Sequence, residues 1–175
     1  MNENDALAFL IRSGCSPDVI EHCKAVAEYA REIAINIREN ASGKGNPIHI
    51  DVDAVFVGAL LHDIGRSKTH GLSHAIAGAR IAMDIGIDDK IVKIIERHIG
   101  AGIPREEACV LGLPDKDYMP VTIEEKIVAH ADNLISGKEI VTMDELISNL
   151  RRKKMDEKTI RRFIELNKEI SAMMA

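Results

Sequence analysis

The sequence has few aromatic residues. Phenylalanine and tyrosine make up 3% of its 175 residues, and tryptophan is absent, although hydrophobic residues as a class account for 46%. A core must therefore be built from isoleucine, leucine, valine, alanine and methionine, a composition that favours packed helices. A chain of this length can bury such a core as one domain. The composition predicts an all-α single domain over residues 1–175.

Cysteines are also few, and no two of them form a CxxC pair. The three residues Cys15, Cys23 and Cys109 are odd in number and widely spaced. This pattern indicates neither a disulfide framework nor a thiolate zinc site. A reducing cytoplasm is the location that it predicts.

Long apolar runs and excess positive charge are missing as well. The longest apolar run, Ala54 to Leu61, is far shorter than a membrane span, and the first ten residues, "MNENDALAFL", are acidic rather than typical of a signal peptide. The net charge of -5 argues against a nucleic-acid or anionic-membrane surface. We therefore expect a soluble protein with no membrane and no nucleic-acid partner.

Helix start signals recur along the chain. The signals are a threonine with a glutamate three residues on, a Ser-Pro pair, or a single serine or aspartate before an apolar pattern. Together with apolar periodicity they predict helices over residues 4–12, 17–40, 51–65, 73–85, 88–98, 122–136, from 142, and 156–172. The stretch 99–121 is punctuated by glycine and proline and is longer than a usual connection. It is a candidate lid.

Polar residues interrupt the apolar faces of these helices. At about 3.6 residues per turn, His22 falls on the stripe of Val19, Val26 and Ile33. Five further residues interrupt apolar faces in the same way: His62, Asp63, His74, His98 and Asp132. A single such histidine is usually an ordinary core residue, and His130, which falls on another face of its helix, is assigned that role.

Two buried carboxylates and four buried imidazoles need a shared partner, because an uncompensated buried carboxylate costs several kcal/mol. A metal centre provides one. Imidazole nitrogen and carboxylate oxygen suit iron, manganese, cobalt, nickel or zinc. The pattern predicts one or two divalent transition metal ions inside a helical bundle.

Three motifs carry a resemblance to a known family. "HDIG" at 62–65 follows "GALL", His22 lies upstream on a helix, and "AHADNL" places Asp132 downstream. In these features the chain resembles the HD superfamily of metal-dependent phosphohydrolases, in its HDIG branch, over about residues 16–136. The resemblance implies an HD-type helical bundle in which His22, His62, Asp63 and Asp132 bind one metal. Residues 138–175 are then a C-terminal helical extension, which packs on the core or contacts another copy in a homo-oligomer.

A second metal is implied by further similarity. His74 in "SHAIAGA" resembles the H-x-x-x-G-A element of dinuclear members, and His98 resembles their histidine at a helix end. Asp63 would then bridge both ions and be the central catalytic residue. The layout is most similar to that of the bacterial diadenosine tetraphosphate hydrolases. The family lysine after HDIG is Arg66 here, and the GYP element is missing, which argues against cyclic-di-GMP hydrolysis.

These features predict a phosphohydrolase that cleaves a nucleotide or other phosphate ester or anhydride with a metal-activated hydroxide. Arg66, Lys68, Arg97 and Arg105 are candidates for binding the phosphate of a small substrate, with a solvated surface charge as the alternative for each. Two other functions stay open. Some dinuclear iron members of the superfamily resemble oxygenases, and a regulatory module with an inactive metal centre would keep the same residues.

Overall fold

The chain folds as a bundle of nine α-helices. A computed structural model describes residues 1–175. The α-helices are α1 Glu3–Ser13, α2 Pro17–Gly43, α3 Val52–Leu61, α4 His74–Asp84, α5 Asp89–Arg97, α6 Arg105–Val110, α7 Ile123–Leu134, α8 Met143–Arg152 and α9 Glu157–Met174. A 3₁₀ turn, Ile64–Ser67, follows α3, and the two short strands β1 Ile135–Ser136 and β2 Glu139–Ile140 form a hairpin after α7. The predicted all-α fold is confirmed.

Most helices begin where the sequence predicts, since a side chain there accepts a hydrogen bond from the first turn. These caps are Ser16, Asp51, Asp88, Thr122, Thr142 and Asp156. Ser73 differs, because its side chain makes no capping bond to α4. The start of α4 is instead fixed by its packing against the 3₁₀ turn.

The core lies around α2, the longest helix, which packs against α3, α7 and α9. Its buried side chains are almost all aliphatic, as the composition predicts. The C-terminal extension closes one side of this core, because Ile160, Leu166 and Ile170 of α9 are buried there. Residues of α9 thus pack on the core, and a contact of residues 138–175 with another copy stays a prediction. No helix is long and apolar enough to span a bilayer.

The helix predicted over residues 51–65 ends earlier than expected. It stops at Leu61, and the chain turns at His62 and Asp63 into the 3₁₀ turn. The reason is the close approach of Gly65 to α4. A β-carbon at Gly65 would lie 1.9 Å from the carbonyl oxygen of His74 and 2.5 Å from the amide nitrogen of Gly78. The backbones of the 3₁₀ turn and α4 therefore meet at Gly65 and Gly78, where neither residue carries a side chain.

The candidate lid, residues 99–121, has structure of its own. It contains α6, and Ile103 and Tyr118 form an isolated backbone bridge. These two residues and Ala108 form a small buried cluster separate from the main core. The segment is therefore held in place by apolar packing, and a lid role stays a prediction.

Candidate metal centre

Five elements bring six polar side chains together. His22 comes from α2, His62 and Asp63 from the bend after α3, His74 from the start of α4, His98 from the end of α5 and Asp132 from α7. His62, Asp63, His74 and His98 are at most 5% exposed, whereas the side chains of His22 and Asp132 are each 20% exposed. The cluster therefore opens to solvent on the His22–Asp132 side. We call these six residues the His-Asp cluster.

All four histidines of the His-Asp cluster are oriented in the same way. In each ring Nδ1 lies within hydrogen-bonding distance of a backbone carbonyl: 3.1 Å from Gly137 for His22, 2.6 Å from Ala59 for His62, 2.8 Å from Gly71 for His74 and 2.7 Å from Ile95 for His98. A carbonyl oxygen only accepts, so Nδ1 carries the proton and donates it. Each Nε2 is left with its lone pair facing the cluster, as in histidines that bind metals.

One half of the cluster is built around Asp132. Its Oδ1 lies 3.0 Å from Nε2 of His22 and 3.4 Å from Nε2 of His62. The three ligand atoms lie within 4.8 Å of one another. Two imidazoles and one carboxylate at this spacing can bind a single divalent ion.

The other half is built around Asp63, which lies between the two sets of histidines. Its Oδ1 is 3.0 Å from Nε2 of His74 and 3.6 Å from Nε2 of His98, and its Oδ2 is 3.7 Å from Nε2 of His62. Asp63, His62 and His98 again have ligand atoms within 4.8 Å of one another. A carboxylate in this position can contact ions on both sides.

Several buried atoms of the cluster have no hydrogen-bond partner in the protein. A metal ion would supply a partner for them. Nε2 of His62 and Oδ1 of Asp63 are buried without a hydrogen bond of acceptable geometry. Nε2 of His74 and Nε2 of His98 face each other at 3.0 Å. Because both Nδ1 protons are donated elsewhere, two lone pairs meet there unless a cation lies between them. The donor set therefore fits divalent metal ions.

The electrostatics of the cluster favour ionised carboxylates. Burial raises the pKa of Asp63, but the neighbouring imidazoles of His62, His74 and His98 outweigh burial and lower the pKa well below the usual range. Asp132 behaves alike, because His62 and His22 outweigh its burial and lower its pKa. Burial lowers the pKa of His98. The cluster thus offers ionised carboxylates to a cation.

The four predicted phosphate-binding residues have different surroundings. Arg66 is at the cluster, because its Nε donates to Oδ2 of Asp63. Arg97 donates to both oxygens of the buried Glu125, at 3.2 and 2.9 Å, and Arg105 pairs at the surface with Asp115. Lys68 is exposed and makes no ion pair, and it lines an open cavity with Arg80.

Two contacts that shape the cluster were not predicted. The hairpin after α7 supplies the Gly137 carbonyl to His22, and Nδ2 of Asn133 donates to the carbonyl of Gly100, at 2.9 Å. A backbone carbonyl has no residue-type signal, so the sequence gives no way to find the first of these. His130 is buried in α7, where burial lowers its pKa to about 4, the environment of a core histidine.

Comparison with known proteins identifies the family. The model of the HD domain family matches residues 19–137. An uncharacterised protein of Methanocaldococcus jannaschii is 49% identical over 166 residues, which cover 94% of this chain and 95% of that protein. The tRNA (cytidine(56)-2'-O)-methyltransferase of Thermoplasma volcanium is 43% identical over 173 residues, 99% of this chain but 48% of the enzyme. This chain therefore spans about half the length of that relative.

A solved structure agrees with the fold. The HD domain of the Listeria monocytogenes phosphodiesterase PgpH matches with a TM-score of 0.57 and 20% identity, covering 99% of this chain and 96% of that domain. The resemblance to the HD superfamily is confirmed, and this chain belongs to the HD domain family.

Proposed function

We propose that the chain is a metal-dependent phosphohydrolase that cleaves a nucleotide or other phosphate ester or anhydride. The observation that carries this proposal is the common orientation of the four histidines. Each donates Nδ1–H to a backbone carbonyl and turns Nε2 toward the carboxylate of Asp63, of Asp132 or of both. Catalytic metal sites use this arrangement to fix both the tautomer and the ring orientation of their ligands.

In this proposal the cluster holds two divalent ions. His22, His62 and Asp132 would bind one, and His74 and His98 the other, with Asp63 contacting both. When bound, such ions supply a hydroxide nucleophile at neutral pH and positive charge that stabilises the phosphate oxygens during in-line attack. Iron, manganese, cobalt, nickel and zinc all suit imidazole and carboxylate ligands.

The surrounding residues would orient the ligands and the substrate. Arg66 holds Asp63 through its Nε, and its terminal N–H groups have no partner in the structure. In this proposal those groups would donate to a substrate phosphate oxygen. Lys68 carries an unpaired charge near the same turn, which fits phosphate binding. Arg97 and Arg105 would first have to leave their carboxylate partners, so we assign them a smaller part in substrate binding.

The test is a product screen with several metals. The chain is incubated with nucleoside mono- and triphosphates, dinucleoside polyphosphates, cyclic dinucleotides and sugar phosphates, each with manganese, cobalt, iron or zinc, and the products are separated by chromatography. We expect hydrolysis of one class, in anaerobic as in aerobic buffer. Turnover that requires both iron and oxygen would favour the oxygenase alternative, and the absence of turnover with every metal would favour a regulatory module.

An RNA phosphodiester is a second candidate substrate. The relative from Thermoplasma volcanium is named for an activity on tRNA, and almost all of this chain matches one part of that protein. The net charge of -5 opposes tight RNA binding. Incubation with a tRNA transcript, followed by analysis of the fragments and their terminal phosphates, tests this candidate within the same screen.

A further inference from the structure

A cavity of about 630 Å³ lies outside the His-Asp cluster. It is bounded by the loop 99–103, by α6 and by the start of α9. Most of its wall is apolar, and the main wall residues are Leu72, Ile99, Ala101, Val110, Met155 and Phe163. We call it the α6–α9 cavity. Its volume is within the range of about 300–1,000 Å³ that small-molecule sites occupy.

The wall of the α6–α9 cavity is built from chain segments that hold the cluster. Ile99 directly follows His98, and Leu72 lies two residues before His74. Gly100, also in the wall, accepts a hydrogen bond from Asn133. Asn133 follows Asp132, whose side chain is on the exposed side of the cluster. The cavity is therefore joined to His98 and His74 by short stretches of backbone, and to Asp132 through the Asn133 side chain.

The polar groups of the α6–α9 cavity favour a ligand with an acceptor at its edge. Arg162 lines the cavity and donates its terminal N–H groups to both oxygens of Glu107. Its Nε–H is buried and has no acceptor. A buried donor without a partner costs free energy, so a ligand acceptor that displaces the wall atoms covering this N–H would stabilise the complex.

The apolar part of the wall favours a flat ring. The chain has three phenylalanines, two tyrosines and no tryptophan. One of these five residues, Phe163, lines this cavity. Aromatic side chains stack on nucleobases, and any of the bases can be accommodated because every base has a π-face. A nucleobase combines the required features, because it has apolar faces and ring nitrogens or carbonyl oxygens at its edge.

The α6–α9 cavity depends on residues outside the matched HD region. Met155, Asp156, Thr159, Arg162 and Phe163 lie beyond residue 137, where the family match ends. A site that includes them can give this chain a ligand preference that the metal-binding motifs do not determine.

We propose that the α6–α9 cavity binds the base of a nucleotide. The proposal rests on the phosphohydrolase function above and deepens it, since it makes the substrate a base-containing phosphate rather than a sugar phosphate.

Nucleoside binding tests the proposal. The full chain is titrated with adenosine, guanosine, cytidine and uridine by calorimetry, with ribose as the control ligand. Val110→Trp places a large side chain at the cavity wall, and Val121→Trp is the matched control, because both valines are exposed and Val121 is outside the wall. Phe163→Leu removes the aromatic face and keeps an apolar side chain. Circular dichroism checks that each variant is folded.

We expect at least one nucleoside to bind tenfold more tightly than ribose. Val110→Trp should weaken that binding at least tenfold, Phe163→Leu should weaken it, and Val121→Trp should leave it unchanged. The proposal is wrong if no nucleoside binds better than ribose, or if both tryptophan variants bind nucleoside equally well. Decanoate, an aliphatic ligand without a ring, is titrated in the same way. If decanoate binds and no nucleoside does, the cavity is a site for aliphatic ligands and the proposal is wrong.

The nucleoside test is independent of turnover, because nucleosides contain no phosphate and their binding needs no metal. Nucleoside binding without any hydrolysis contradicts the proposed hydrolase alone. Hydrolysis without nucleoside binding contradicts the proposed base site alone.

Discussion

Nε2 of His74 and Nε2 of His98 lie 3.0 Å apart, and each ring has already donated its Nδ1 proton to a backbone carbonyl. Two neutral imidazoles in this arrangement repel each other through their lone pairs. A shared cation removes the repulsion, so this pair is the sharpest indication of a second ion beside the one near Asp132. The first prediction follows from it.

Protein purified without chelator and reconstituted with manganese or cobalt should contain one to two ions per chain by elemental analysis. His74→Ala or His98→Ala should lower the content toward one, because His22, His62 and Asp132 remain. The exposed loop histidines provide the matched controls His49→Ala and His70→Ala, which should leave the content unchanged. Equal metal content in all four variants would make His74 and His98 core histidines and the centre mononuclear.

Metal should also stabilise the fold. A ligand at 100 times its Kd adds about 2.7 kcal/mol to the free energy of unfolding. Chelation should therefore lower the melting temperature, and added manganese should restore it. His62→Ala, which changes a side chain of the Asp132 half, should reduce this metal-dependent difference. A melting temperature that does not respond to chelator or metal would contradict a bound ion.

Asp63→Asn should reduce turnover by at least about 100-fold, the scale at which one lost electrostatic contact to a transition state is measured. The amide has the shape of the carboxylate but lacks the charge that two ions would share. Asp53→Asn is the matched control, because Asp53 is exposed on α3. Both variants should keep the far-ultraviolet spectrum of the parent chain. Unfolding of Asp63→Asn in the presence of metal would make Asp63 a structural residue instead.

Gly65→Ala should destabilise the chain by more than about 3 kcal/mol, the range of severe packing defects. The added β-carbon would meet the His74 carbonyl oxygen at 1.9 Å, and a backbone atom cannot swing away as a flexible side chain can. Gly43→Ala is the control. It lies in α2 with no atom within 4 Å of the added carbon, so it should be neutral or stabilising by up to about 1 kcal/mol. Urea denaturation of both variants measures the difference.

The residues of the His-Asp cluster could be predicted because each one breaks a helical pattern. An imidazole at position 22, on the stripe of Val26 and Ile33, is visible in the sequence without any knowledge of its neighbours. Eight of the nine helices, all except α6, and most of their start positions are visible for the same reason, since a cap such as Asp51 acts within one turn of chain.

What the sequence did not predict depends on distant neighbours. The end of α3 at Leu61 is set by the contact of Gly65 with α4. Thr122 and Glu125 have the threonine-to-glutamate spacing of a helix start signal. The Glu125 carboxylate nevertheless accepts from the Val121 backbone N–H and from Arg97, which is 28 residues away. Such partners are chosen by tertiary packing, which local periodicity does not encode.

The pair of Glu107 and Arg162 gives a prediction about pH. Hydrogen bonds from Arg162 lower the pKa of Glu107 below its ordinary value of 4.5. The carboxylate is thus more stable in the folded chain than in the unfolded one. Its contribution is fully present above pH 4.5 and is lost as the pH falls through the folded pKa.

Glu107→Gln should therefore lower the free energy of unfolding at pH 7 by about 1 kcal/mol, the scale of a bidentate pair that is partly exposed. The difference from the parent chain should shrink below pH 4.5, where Glu107 of the parent becomes protonated. Glu106→Gln on the same helix is the control, since no ion pair involves Glu106 in the structure, and it should show a smaller loss at pH 7. Urea denaturation at pH 7, 5 and 3.5 measures the free energy of unfolding of each variant. If the difference between Glu107→Gln and the parent chain is the same at all three pH values, the pair does not stabilise the fold through its charge.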